Sequence, residues 1–144
     1  MSSSIFPDVN VWLALSVSGH VHHATAKAWF QKLERHDRLY FCRITQMGLL
    51  RLLSLEVVMG PGEALSQDAA WDVYERWTAD PQVDFLQEPP GLDEPFRRWA
   101  SANRPAPQAW SHDYLCAFAA TAGLRLATLD RSLSRRVPGA LLIA

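Results

Sequence analysis

The chain has 144 residues, 49% of them apolar and 20% charged, with a formal net charge of −1. That make-up suits one domain (residues 1–144) with a sizeable core and excludes a disordered chain. It also excludes a global attraction to polyanions, so a nucleic-acid partner would need local basic groups or metal. No apolar run reaches the roughly 18 residues of a membrane span.

Met1-Ser2-Ser3-Ser4 lacks the basic start and apolar run of a signal peptide, so a cytoplasmic protein is expected. Ile5 to Asp8 reads as a short buried strand, with Pro7 at an end or edge position because it gives no ladder hydrogen bond. A short helix follows from Asn10 to Val17, then a turn at Gly19 to His23. Ala24, Ala28, Trp29, Phe30 and Leu33 recur at helical spacing between His22 and Arg35. Arg38 to Arg43 alternates into a second strand. Thr45 is a plausible cap for a helix holding Met47, Leu49, Leu50, Leu52 and Leu53. Gly60-Pro61-Gly62 breaks the chain, and Ser66 caps a further helix through Trp77. Val83 to Leu86 is a third strand, and a helix from about Leu92 to Ala102 follows the Pro89-Pro90-Gly91 turn. Arg104 to Pro107 is a rigid loop. Trp110 opens an alanine-rich helix that ends at Ala122, with Gly123 as its C-cap. Leu124 to Leu129 is the fourth strand, Ser132 to Arg136 a helical turn, and Ala140 to Ile143 a last strand. Strands that alternate with helices predict an α/β fold with a mostly parallel central sheet covered on both faces. Cys42 and Cys116, in apolar surroundings, read as buried free thiols. The six tryptophans read as core or interface.

Two strands end on an acid, the first on Asp8 and the fourth on Asp130. In open α/β sheets the carboxyl ends of strands face the ligand crevice. Two carboxylates brought together there would hold Mg²⁺ or Mn²⁺, and such ions serve phosphodiester hydrolysis. Each Asp has an alternative reading as a plain helix N-cap. Asp113, in the first turn of its helix, is either a third acid of the crevice or a partner of the helix dipole. His112 beside it could ligate metal or contact a phosphate. The two lie about 100° apart around a helix, so only one can point squarely at a given spot. Arg131, Arg135 and Arg136 form the one basic cluster, either a phosphate-contact patch or a solvated face. Arg51 reads as a salt-bridge partner or part of a partner surface. His20, His22 and His23 read as a solvated turn. No phosphate-cradling glycine loop, nucleophile elbow or His-Glu-x-x-His helix is present.

Phe6-Pro7-Asp8-Val9-Asn10-Val11-Trp12-Leu13-Ala14-Leu15 resembles the opening of PIN-domain proteins, in particular the VapC-type toxins of bacterial toxin–antitoxin pairs. His22-His23-Ala24 before Trp29-Phe30, Arg43-Ile44-Thr45-Gln46 through Leu53, Val58-Met59-Gly60, Trp110 through Ala119, and Gly123 through Asp130 continue the resemblance over nearly the whole chain. It implies a PIN-like three-layer α/β/α sandwich and a Mg²⁺- or Mn²⁺-dependent endoribonuclease acting on RNA, often tRNA or rRNA. It also implies a cognate antitoxin as inhibitor and a homodimer. The family's first acid falls on Asp8 and its last on Asp130, while Asn10 falls on a small polar position near the metal. The family's second acid, commonly Glu, has no counterpart in Thr45-Gln46-Met47-Gly48-Leu49, where Gln46 offers a neutral oxygen instead. Its third acid position is His112, with Asp113 one place later. Asp113 is the preferred ligand, because hard Mg²⁺ favours oxygen over imidazole. Asp8, Asp113 and Asp130 are therefore the expected catalytic metal set, with Asn10, Gln46, His112 and Arg131 as substrate contacts. The alternatives are a catalytically weak binding module of the same fold and a nuclease for DNA or flap substrates.

Overall fold

A computed structural model describes residues 3–144; of the serine-rich start read above, Met1 and Ser2 lie outside the described residues. Five strands form one sheet: β1 (Ser4–Pro7), β2 (Arg38–Phe41), β3 (Val83–Phe85), β4 (Arg125–Thr128) and β5 (Leu141–Leu142). Their order is β3-β2-β1-β4-β5, and every pairing is parallel. The eight helices among the described residues are α1 (Val9–Ser16), α2 (His23–Gln31), α3 (Arg43–Leu53), α4 (Glu56–Met59), α5 (Gln67–Thr78), α6 (Asp93–Trp99), α7 (Trp110–Ala122) and α8 (Arg131–Arg136).

Period-two alternation along the strands sends successive side chains to opposite faces, and each face has its own core. Ile5, Leu39, Phe41 and Ala127 join Val11, Trp12, Leu49 and Tyr74 on one side. Phe6 and Leu126 join Leu115, Cys116, Phe118 and Leu133 on the other. Helices α1, α2, α3 and α5 therefore cover the first face, and α6, α7 and α8 the second. The result is the three-layer sandwich that the alternation predicts. Trp12 stacks on Phe41 with centroids 3.9 Å apart, and Phe6 on Phe118 at 4.8 Å. Each large side chain fully buried in this way is worth about 1.5–3 kcal/mol. Cys42 and Cys116 are buried free thiols.

Pro7 ends a central strand rather than lying at a sheet edge. On the β2 side the ladder already stops at Ile5, so the missing Pro7 N–H leaves no gap. The cap of α3 differs from the expected one. Cys42 is the N-cap, and Thr45 sits three residues inside, its hydroxyl accepting a hydrogen bond from the Cys42 N–H at 3.0 Å. The reciprocal arrangement of a capping box thus starts the helix three residues earlier than a Thr45 cap would. The helix expected to reach Ala102 ends at Trp99. The short α4 carries no apolar periodicity long enough to announce it. Ser66 and Gly123 cap α5 and α7 as expected, Gly123 with φ of +69°.

The order β3-β2-β1 runs one way from β1, and β4-β5 runs the other way. Connections leave the central pair in opposite directions, which opens a crevice at the carboxyl ends of β1 and β4.

Candidate active site

Asp8 and Asp130 stand at that crevice. The β1–β4 register sets Pro7 opposite Ala127, and the Asp8 N–H donates to the Ala127 carbonyl at 2.8 Å. Asp8 is thereby level with Thr128, and Asp130 lies two residues farther along. Both acids perform the capping that their positions suggest. Asp8 Oδ1 accepts from the Val9 N–H at 2.7 Å at the start of α1. Asp130 Oδ1 accepts from the Ser132 N–H and hydroxyl and from the Leu133 N–H at the start of α8. Capping leaves further acceptor capacity. The three hydrogen bonds to the Asp130 carboxylate all fall on Oδ1, which leaves Oδ2 open to another partner.

Thr128 links the two acids, and sequence reasoning missed it. Its fully buried hydroxyl donates to Asp8 Oδ2 at 3.0 Å and accepts from the Asp130 N–H at 3.0 Å. The signal was present in Thr128-Leu129-Asp130, because period-two alternation puts Thr128 and Asp130 on one side of the strand. Asn10 closes the same corner, its Oδ1 accepting from the Leu129 N–H at 3.3 Å.

The electrostatics of the two carboxyls differ. Asp8 is only 3% exposed, and burial pushes its carboxyl above the ordinary range. His112, Thr128 and Val9 counter that shift, while the Asp130 charge adds to it. Asp130 is half-buried and held below the ordinary range, first by the Ser132 hydroxyl and then by the Leu133 N–H. Helix α7 delivers His112, whose Nε2 is 3.9 Å from Asp8 Oδ2. The 100° offset then turns Asp113 away from that spot. Asp113, only 6% exposed, forms an ion pair with Arg136, whose Nη2 donates to Oδ1 at 2.7 Å. One turn along α7, burial pushes the Cys116 thiol up to about 11, and charges of Asp113, Asp8 and Arg136 all reach it.

Of the expected set, Asp8, Asp130, His112 and Asn10 gather at the crevice. Asp113 borders it but faces a guanidinium. Gln46 is buried, and its Oε1 accepts from Arg43. Arg131 and Arg135 are exposed on α8. Arg136, which the sequence showed only as part of a basic cluster, is the arginine that turns inward. Among the described residues no three His, Cys, Asp or Glu side chains converge as a ready-made metal group. The donors at the crevice nonetheless fit a hard cation. They are carboxylate oxygens, one of them buried at a cost that a cation would offset, and Mg²⁺ typically takes one or two carboxylates and keeps water for the rest.

Comparison with known proteins adds three findings. The family model described as PIN domain matches residues 5–137. A curated relative, "Ribonuclease VapC41" of Mycobacterium tuberculosis (strain CDC 1551 / Oshkosh), is 39% identical over 131 residues, covering 89% of this chain and 90% of the relative. Among solved structures, Mycobacterium tuberculosis VapC20, described as a Sarcin-Ricin loop cleaving toxin, superposes with a TM-score of 0.68 at 16% identity, covering 92% of this chain and 94% of that one. VapBC2 from Rickettsia felis, bound to a DNA fragment from its promoter, superposes with a TM-score of 0.64 at 9% identity, covering 96% of each chain.

Proposed function

Since this chain belongs to the PIN-domain family, we propose that it is a divalent-metal-dependent endoribonuclease, the toxin of a toxin–antitoxin pair, held inactive by a cognate antitoxin. The observation that carries the reading is the pair of strand-end carboxylates, Asp8 and Asp130, joined through Thr128 at the point where the sheet order reverses. Asp8 and Asp130 would hold Mg²⁺ or Mn²⁺. An ion held there would supply a water of lowered pKa and a positive charge opposite the phosphate.

This chain's own residues set the geometry. Thr128 fixes the rotamer of Asp8, and the α8 N-terminus fixes that of Asp130, so that both carboxylates are preorganised. His112 faces Asp8 at a distance from which it would contact substrate phosphate or exchange a proton with the attacking or leaving oxygen. Arg131 and Arg135, exposed beside Asp130, are placed to meet the backbone of a bound strand. The family kinship to an enzyme named a ribonuclease favours RNA as the substrate, and toxin–antitoxin complexes among the structural neighbours favour an antitoxin partner. A homodimer and a cytoplasmic setting belong to the same reading. No helix among the described residues is long and apolar enough to cross a membrane.

A weaker reading, a binding module of the same fold, draws on one observation: the third acid is already neutralised by Arg136. One experiment separates these. The purified chain is given single-stranded RNA and DNA of the same sequence with Mn²⁺. Cuts confined to RNA are expected, cuts in DNA would move the assignment to a deoxyribonuclease, and intact strands of both kinds would favour the binding module.

A further inference from the structure

Trp110 stands apart from the other large aromatic side chains of the fold. It is 58% exposed, the most exposed of the six tryptophans. Its ring is nonetheless braced. Phe96 of α6 meets it edge to face, with centroids 6.3 Å apart and planes at 78°, and Phe96 is itself met by Tyr114 at 5.4 Å. The indole thus has one side held and another open to solvent. A cleft of about 480 Å³ opens beside it, lined also by Phe96, Arg97 and Ser101. That volume falls within the roughly 300–1,000 Å³ of sites that take small organic groups. A narrower cleft of about 70 Å³ shares Ala100, Ala102 and Trp110 with the first and reaches Arg104 and Asp113. The groove therefore runs from Trp110 to the neighbour of His112, the residue that faces Asp8.

Charge along this groove suits a polyanion. Arg97 at the rim is paired with Asp93, and Asp113 is neutralised by Arg136. Arg104 is exposed and makes no hydrogen bond or ion pair among the described residues, so it is the cation left over. We propose that Trp110 is the stacking platform for a base of a single-stranded RNA substrate, with Arg104 on the phosphate beside that base. The inference rests on the ribonuclease reading above and adds where a nucleotide next to the cut is held. Every base has an apolar face, so an exposed indole binds bases without reading sequence. Bases inside a duplex are already stacked on one another, so the platform selects single strands. Trp110 and His112 belong to one turn of α7, about 5.4 Å in pitch, so a strand whose phosphate lies at His112 brings a neighbouring base within reach of the indole. A ring already braced loses little freedom when the base arrives.

The test measures binding in chelator, which silences metal-dependent cleavage. A labelled short single-stranded RNA and an abasic strand of the same length are titrated with the full chain at low salt, and fluorescence anisotropy gives Kd. Trp110→Ala, checked for folding by circular dichroism, is expected to bind the RNA about tenfold more weakly, the size of one base–aromatic stack, and to bind the abasic strand as wild type does. Trp110→Phe, which keeps a ring, is expected to recover most of the affinity. Arg104→Gln is expected to weaken both strands alike and to lower the salt dependence. Equal affinity of wild type and Trp110→Ala for the RNA would overturn the proposal and leave the cleft to a protein partner. An equal loss on both strands would also overturn it, because the indole would then serve the fold or the backbone rather than a base. No binding of either strand by folded wild type would instead sink the RNA reading, and the proposal with it.

Discussion

Thr128 gives the sharpest handle on the site, because its two halves do different jobs. The hydroxyl donates to one carboxylate and accepts from the backbone of the other, while the whole side chain is fully buried. Thr128→Val keeps the volume and removes both hydrogen bonds. A hydrogen bond to a charged group is worth about 1.5–3 kcal/mol and a neutral one about 1 kcal/mol, so the variant should lose about 2–4 kcal/mol. Thr128→Ser keeps both bonds and removes one buried methyl, which costs about 1 kcal/mol. Urea unfolding in chelator measures these losses. Cleavage with Mn²⁺ should rank the variants by function: a fall of about 10–100-fold in Thr128→Val, as for other groups that orient a metal ligand, and near wild-type activity in Thr128→Ser. Stability would thus fall in both variants, but activity in only one. If Thr128→Val cut RNA as well as Thr128→Ser, the hydroxyl would not be positioning Asp8.

Asp8→Asn should unfold at higher urea than metal-free wild type at neutral pH. Burial raises the Asp8 pKa, so the stability tied to this group is full below the ordinary carboxylate range and falls as pH rises through the folded value; the gap should close in acid. The Asp37 carboxylate, which accepts from the Glu34 and Ser3 N–H groups, is held below its ordinary range, chiefly by the Glu34 bond. Its contribution is present above the ordinary range and lost as pH falls through the folded value, so Asp37→Asn should be less stable than wild type at pH 7 and indistinguishable from it in strong acid. Gly48→Ala would place a Cβ 2.8 Å from Val9 Cγ2, on a β-branched side chain that cannot swing aside. Overpacking of about 1–3 kcal/mol should outweigh the gain of about 1 kcal/mol in helix propensity, and thermal melting would show a net loss.

The strand-end acids were legible because each closes an apolar run, and the alternation of strands and helices gave the layers. Other parts of the site depended on facts that a linear pattern does not carry. Ala109 caps α7 without a side-chain hydrogen bond, so no capping signal tells from the linear pattern whether His112 or Asp113 faces Asp8. The three arginines of α8 look alike in sequence, and only the packing of α8 against α7 pairs Arg136 with Asp113. A Thr45 cap places the start of α3 three residues late, because a cysteine is an uncommon N-cap and the inward Thr45 is of a residue type that commonly caps. Gln46 shows the opposite case, since its missing charge was plain in the sequence and its buried hydrogen bond from Arg43 is consistent with a neutral side chain there.

The central claim is metal-dependent RNA cleavage centred on Asp8. A labelled RNA pool incubated with purified wild type and with Asp8→Asn, each with Mg²⁺, with Mn²⁺ and with chelator, tests it most directly. The account predicts discrete cuts by wild type that disappear with chelator and in Asp8→Asn. Cuts that persist in Asp8→Asn, or an RNA pool left intact by folded wild type in both metals, would contradict it.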